Sequence, residues 1–282
     1  MSDMWTVQRA LDWCRGYLEH HDDPNPRLSA EWLLSAATGL SRVELYAYYD
    51  RPLSEEERSE LREGLRRRGR GEPLQYVTGE AAFRHIVVKT AHDVLIPRPE
   101  TELLVQEVLN RTGGASDLHV LEVGTGTGCI ACSLAKEAGA SVVATDVSEE
   151  ACECARRNVE ALHLENLVDV VETDCARGVE GPFDVLVSNP PYIPSAVVDE
   201  LDDEVKDHEP RLALDGGEDG LAFFDRLLGE ALPLLREGGL FACELYEESL
   251  DEAKRRLEGA GAHDVVIGCD LTGRPRILTG TR

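Results

Sequence analysis

Asn189-Pro190-Pro191-Tyr192 closes the apolar run Phe183-Asp184-Val185-Leu186-Val187-Ser188, and this tetrapeptide can hold a planar amino group for alkylation. Two prolines fix φ and remove backbone N–H groups, so the turn is stiff and its carbonyls stand as acceptors. The Asn189 side-chain oxygen and the Pro190 carbonyl can accept both hydrogens of an NH₂ group, while Pro191 stiffens the turn. Tyr192 offers a flat face on which an amide or base can stack. Held in this way, the nitrogen lone pair turns toward an electrophile instead of staying conjugated. The plainer reading is a proline-bounded turn after a buried strand, because Asn-Pro is a common turn signal.

Upstream, Val120-Leu121-Glu122-Val123 runs into Gly124-Thr125-Gly126-Thr127-Gly128, followed by Ile130, Ala131, Leu134 and Ala135. The order is strand, glycine turn, helix start, and the glycines let the chain turn tightly and a ligand approach bare backbone. Asp146 ends the next apolar run, Ser141-Val142-Val143-Ala144-Thr145, at the offset where a carboxylate holds ribose hydroxyls. The alternative for Asp146 is a helix-leading carboxylate ahead of a Ser148 cap. Together these residues place a nucleotide-type cofactor across the carboxyl ends of the first two strands. Dinucleotide folds space their glycines as GxGxxG, whereas this loop reads GxGxG after an acid. With Glu122 before it, the loop suits a positively charged ligand such as the sulfonium and amino group of S-adenosylmethionine.

Glycine loop, acid at the second strand end and Asn-Pro-Pro-Tyr at the fourth, in that order, resemble the HemK/PrmC family of N5-glutamine methyltransferases that modify peptide-chain release factors. The resemblance spans nearly the whole chain. It takes in Gly71-Glu72-Pro73-Leu74-Gln75-Tyr76-Val77-Thr78-Gly79 and Val94-Leu95-Ile96-Pro97-Arg98-Pro99-Glu100-Thr101-Glu102, the two most family-specific stretches. It continues through Glu209-Pro210-Arg211-Leu212-Ala213-Leu214-Asp215-Gly216-Gly217 to Gly273-Arg274-Pro275-Arg276. The resemblance implies a class I, Rossmann-like fold with S-adenosylmethionine as cofactor. It also implies a class I release factor as protein substrate, modified at the glutamine of its Gly-Gly-Gln motif.

Site residues follow from the same resemblance. Asn189, Pro190 and Tyr192 are implied to be catalytic. Glu122, Gly124, Thr125, Gly126, Thr127, Gly128, Asp146 and Asn189 are implied to hold the cofactor, and Asp174 and Cys175 to border the adenine ring. Arg98 and Glu100, in a proline-stiffened loop, border cofactor and substrate together with the Asn189–Tyr192 turn. Cys175 stands where relatives often carry a larger side chain. Glu244, after Leu240-Phe241-Ala242-Cys243, matches a family acid, but Leu245-Tyr246-Glu247-Glu248-Ser249 departs from the usual glycine- and glutamine-containing segment. No histidine falls in these motifs and no paired general base is evident. That suits an amide, which is too weak an acid to deprotonate in advance, so positioning and electrostatics must carry the reaction.

The elements that position these residues fall into two parts, 1–85 and 86–282. The first part reads as short amphipathic helices. Ser41-Arg42-Val43-Glu44 and Ser54-Glu55-Glu56-Glu57 are capping boxes, Asp22–Pro26 is a loop, and Leu28, Leu33 and Leu34, then Leu61 and Leu65, are apolar faces. It is expected to recognise the protein substrate. Arg66-Arg67-Arg68-Gly69-Arg70 reads as a helix C-terminus, where arginines favour the dipole and glycine stops the helix; the alternative is a contact to RNA or an acidic partner. Ala81–Lys89 alternates as a short strand or hairpin, and Pro97-Arg98-Pro99 leads into a helix carrying Leu104, Val105, Val108 and Leu109 on one face. From residue 117 on, apolar runs alternate with helical stretches, the pattern of a doubly wound parallel sheet. Seven strands are expected to start near His119, Ser141, Val168, Asp184, Gly239, Asp264 and Arg276, the last two as an antiparallel pair.

Composition narrows the function classes. The net charge is −25, from 54 acidic and 29 basic residues, and Lys89, Lys136, Lys206 and Lys254 are the lysines. Such a surface suits high salt, where screening relieves self-repulsion, or else a basic partner. It does not suit phosphate backbones, so no direct nucleic-acid partner is expected. The eight cysteines lack secreted-framework spacing and read as reduced thiols. Cys129-x-x-Cys132 lacks the further ligands of a structural zinc site, so no metal is expected. Met1–Trp5 is not a secretory leader and no stretch spans a bilayer, so the expectation is a cytoplasmic monomer without membrane contact. The rival functions are an N6-adenine nucleic-acid methyltransferase, a ribosomal-protein glutamine methyltransferase and a non-catalytic S-adenosylmethionine-binding adaptor.

Overall fold

A computed structural model describes residues 4–270 and 272–282; Met1–Asp3 of the N-terminal stretch read above lie outside the described residues. The chain forms two compact units, one of residues 1–80 with 203–208 and one of 81–202 with 209–282.

The first unit holds α1 (Val7–Glu19), α2 (Pro26–Thr38), α3 (Arg42–Ala47), α4 (Glu55–Arg68) and α5 (Leu74–Thr78). Their starts are written locally. Thr6 and Asn25 cap α1 and α2, Pro26 occupies the first turn of α2, and Ser41 and Ser54 both close reciprocal capping boxes with Glu44 and Glu57. α4 has three glutamates in its first turn and three arginines in its last, matching both ends of its dipole. Leu18, Leu33, Leu34, Leu61 and Leu65 are buried together as this unit's core.

Arg66, Arg67 and Arg68 at the end of α4 are paired from within the unit. Arg66 pairs with Glu63 at 2.6 Å, and Arg67 Nε with Glu72 at 2.8 Å. Arg68 is buried, with Asp23 at 2.6 Å and Glu204 at 2.7 Å. Glu31 is a second buried hub, accepting from Arg27, Arg42 and the Tyr46 hydroxyl.

The second unit opens with a hairpin, β1 (Glu80–Phe83) and β2 (Ile86–Lys89), then α6 (Pro99–Arg111). Ala81, Phe83, Ile86 and Val88 bury one alternating face in the core that holds Leu104, Val105 and Val108 of α6. The hairpin therefore goes with this unit, and the division falls at 80/81, not at the expected 85/86.

A seven-stranded sheet follows: β3 (His119–Val123), β4 (Ser141–Asp146), β5 (Val168–Glu172), β6 (Phe183–Ser188), β7 (Leu235–Glu244), β8 (His263–Cys269) and β9 (Pro275–Thr281). Its order is β5-β4-β3-β6-β7-β9-β8. The first five run parallel and β9 is antiparallel to both β7 and β8, as the missing helix between the last two strands implied. β7 starts at Leu235, ahead of the expected Gly239, and regular pairing with β6 resumes at Leu240 after a shift. α7 (Cys129–Ala138) and α8 (Glu149–Ala161) return the chain between β3, β4 and β5.

The order reverses at β3, which lies between β4 and β6. Ligands in open α/β sheets sit outside the strand carboxyl ends at such a switch point. Val123 is in register with Ser188, whose hydroxyl donates to the Val123 carbonyl at 2.6 Å. The glycine loop and the Asn189–Tyr192 turn are thus neighbours by register.

Candidate active site

A cavity opens where these two loops leave the sheet. Gly124, Thr125, Gly126 and Thr127 line it after β3, Asp146 at the end of β4, Cys175 after β5, and Asn189 and Pro191 after β6. Arg98 and Thr101 line it from the turn before α6 and its first turn.

The glycine loop is fixed by β4. The Gly124 and Thr125 amides donate to the Thr145 carbonyl at 2.8 and 2.9 Å, and Gly126 N–H donates to the Asp146 carboxylate at 2.9 Å. Gly124 has φ of 77°, a left-handed conformation that glycine adopts without strain, while a Cβ there would stand in ordinary contact 3.9 Å from the Asn189 carbonyl, so backbone conformation and not space calls for glycine. At Gly128, with φ of 78°, a Cβ would press Ala155 of α8 at 3.1 Å. Gly128 thus serves helix packing and is not on the cavity wall. Asp146 also accepts from Ser148 N–H at 3.0 Å, and burial raises its pKa against these amide donors.

Glu122 departs from its expected contact with a ligand. It is fully buried, away from the cavity wall, and accepts from the Thr125 hydroxyl at 2.8 Å and Ala131 N–H at 3.1 Å. Its other oxygen has no hydrogen-bond partner, and burial pushes its pKa up to about 8. Glu122 therefore braces the loop and the start of α7.

Asp174 likewise points elsewhere: it pairs with Arg226 at 2.8 Å, half-exposed, while Thr173 and Cys175 on either side face the cavity. Its pKa is lowered by that guanidinium. Cys175 is buried, adopts φ of 57°, and its carbonyl accepts from Thr145 Oγ1 at 2.9 Å. Phe223 completes this end of the cavity, with the Arg226 guanidinium 5.4 Å from its ring centroid.

At the other end, Asn189 Nδ2 donates to Thr101 Oγ1 at 2.9 Å. Thr101 donates to Glu244 at 2.7 Å, and the Tyr192 hydroxyl donates to the second Glu244 oxygen at 3.0 Å. Glu244, at the end of β7, is buried. Burial raises its pKa, while the two hydroxyl donors and Arg276 oppose the rise. The hydroxyl of the partly exposed Tyr192 is anchored on Glu244, and neither Tyr192 nor the buried Pro190 lines the cavity. Arg98 is tied to the buried Glu209 at 2.5 Å, and Glu209 also accepts from Ile96 N–H at 3.2 Å. Glu100 is off the wall. Sequence reading gave no site role to Thr101 or Phe223. Thr101 lies inside the family-specific Pro-Glu-Thr-Glu stretch, but nothing local marks Phe223.

No group of three or more His, Cys, Asp or Glu side chains is placed to hold a metal among the described residues. Cys129, Cys132, Cys152 and Cys154 are free, buried thiols. No helix of the described residues is long and apolar enough to cross a membrane.

Residues 9–79 match the PrmC N-terminal domain, and residues 99–205 match the methyltransferase small domain. A release factor glutamine methyltransferase of Geobacter sulfurreducens is 40% identical over 280 residues, covering 99% of this chain and 97% of that protein. The chain belongs to the release factor glutamine methyltransferase family. A second family member, from Rhodopirellula baltica, is 39% identical, covering 98% of this chain and 96% of its own length. Among solved structures, a methyltransferase from Pyrococcus furiosus superposes with a TM-score of 0.51 at 26% identity, covering 69% of this chain and 88% of that one. The family thus accounts for both units, the helical one and the Rossmann-like methyltransferase fold with its antiparallel final strand.

Proposed function

We propose that this family member methylates the side-chain nitrogen (N5) of the glutamine in the Gly-Gly-Gln motif of class I release factors, with S-adenosylmethionine as the donor. The observation that carries the reading is the state of Asn189: its NH₂ group is taken by Thr101, so its side-chain oxygen is the acceptor left for a substrate amide.

The cavity's residues fit the donor. Bare backbone at Gly124 and Gly126 admits a ligand closely, Asp146 offers a carboxylate to ribose hydroxyls, and Cys175 and Phe223 provide an apolar wall for the adenine. Phe223 supplies there the bulk that Cys175 lacks. When bound, S-adenosylmethionine supplies an electrophilic methyl group on a sulfonium. The Asn189 side-chain oxygen accepts a hydrogen of the substrate NH₂, which favours the positive charge developing on nitrogen and draws the lone pair out of amide conjugation. Withdrawal from water strengthens those contacts. Thr101, Glu244 and Tyr192 hold the turn, and Glu209 holds the Arg98 loop.

The helical unit is the part we assign to release-factor docking, because the cofactor and methyl-transfer residues all lie in the other unit. Three of its four clustered arginines, Arg66, Arg67 and Arg68, are paired with carboxylates, which argues against an RNA contact there. Remote contacts then position the reacting loop.

Transfer of labelled methyl to intact release factor, ribosomal proteins, nucleic acid and a short Gly-Gly-Gln peptide, run in parallel, tests the reading. Label is expected in intact release factor at a rate well above the peptide. Label in ribosomal protein or nucleic acid instead, or in none, would replace it by one of its rivals.

A further inference from the structure

Asn189 ends a one-way chain of hydrogen bonds. The Glu244 carboxyl is buried, 1% exposed, with a hydroxyl on each of its two oxygens, and in its ionised form it can only accept. Thr101 and Tyr192 each have a single hydroxyl hydrogen, and both point theirs at Glu244, at 2.7 and 3.0 Å. With its hydrogen committed, the Thr101 oxygen can only accept. Asn189 stands 2.9 Å from that oxygen, so the amino end of its side chain must face Thr101. The opposite flip would set two oxygens against each other with no hydrogen between them and leave the buried Thr101 oxygen without a donor.

We propose that Thr101 and Glu244 are positioning residues for methyl transfer: through this chain they set the flip of the Asn189 side chain, so that its oxygen and not its NH₂ meets the substrate amide. The inference rests on the reading of Asn189 as acceptor for a glutamine NH₂. An Asn189 flipped the other way would offer hydrogens to a nitrogen that must donate its own, and the substrate would be turned away from the methyl donor. The device spans three elements far apart in sequence, the first turn of α6, the turn after β6 and the end of β7.

The chain holds five asparagines, so protein labelled with ¹⁵N-asparagine gives five side-chain NH₂ signals, and Asn189→Asp identifies the one from Asn189. In the full-length enzyme that signal is expected to be shifted by its hydrogen bond and slow to exchange. Thr101→Val keeps shape and removes the hydroxyl. It is expected to abolish the shift and lower kcat by about tenfold to a hundredfold, with little change in KM for release factor or in affinity for S-adenosylhomocysteine. Thr101→Ser should restore both signal and kcat. Glu244→Gln should lower kcat with the hydroxyl still present, because the new amide can donate to Thr101 and release its hydrogen toward Asn189; it carries the same test if Thr101→Val does not fold. An unchanged kcat in both Thr101→Val and Glu244→Gln, while Asn189→Ala is inactive, would overturn the positioning role alone. Normal turnover of Asn189→Ala would instead overturn the acceptor reading on which it rests.

Discussion

Asp146 and Glu122 both take hydrogen bonds from the glycine loop, but only Asp146 also reaches the cavity. Asp146→Ala is therefore expected to weaken binding of S-adenosylhomocysteine by roughly 1–3 kcal/mol, as for lost charge-assisted hydrogen bonds. Calorimetry showing unchanged affinity would move the ribose contact elsewhere. Glu122 carries a different signature. Burial lifts its pKa to about 8, above the ordinary carboxylate range, so between those two values the folded form binds more protons than the unfolded chain. Its contribution to stability then falls as pH rises toward 8. Glu122→Gln keeps an acceptor for Thr125 and Ala131 without the charge. The variant should gain at least about 1 kcal/mol over the parent on going from pH 5 to pH 8. Denaturant unfolding at the two pH values checks it, and an equal difference at both would contradict it. Because Asp146 and Glu244 also have raised values, the comparison between variant and parent is the informative one. At this scale sequence offsets located Asp146 and Asn189, since strand ends and turns are local features. They could not tell that Glu122 and Asp174 face away from the cavity, because that depends on α7 and Arg226 packing against them.

α4 shows what an element's own sequence conveys and what it does not. Its capping box, acidic first turn and basic last turn are all legible over fourteen residues, and so is its stop at Gly69. The burial of Arg68 is not. Its partners Asp23 and Glu204 come from the loop before α2 and from the segment 203–208, which goes with the helical unit despite following the Asn189–Tyr192 turn in sequence. Side chains of Arg68 and Asp23 are 5% and 3% exposed. Removing one partner of a buried pair strands the other charge, so Arg68→Ala is expected to destabilise the unit by about 3–5 kcal/mol. A loss below about 1 kcal/mol in denaturant unfolding would mean the pair behaves as a surface salt bridge. The sheet was legible in the same uneven way. Alternating apolar runs and helical stretches implied seven strands, and the antiparallel end followed from a missing helix. The hairpin's allegiance needed its packing against α6.

Across the whole molecule the charge is uneven: residues 81–282 carry 39 acidic and 18 basic side chains, while residues 1–80 are close to balanced with 15 and 11. Self-repulsion in the methyltransferase unit should therefore exceed what its surface ion pairs return, and salt screens repulsion. The melting temperature is expected to rise between about 0.1 and 2 M KCl; a fall would mean the ion pairs dominate and would favour an acidic face kept for a basic partner. Family membership makes the substrate testable directly. Mass spectrometry of intact class I release factor, before and after incubation with the enzyme and S-adenosylmethionine, is the most direct test of the central claim. A gain of one methyl group is expected, located by fragmentation on the side chain of the Gly-Gly-Gln glutamine and absent with Asn189→Ala. A methyl group on any other residue, or an unmodified glutamine under conditions where the cofactor binds, would contradict it.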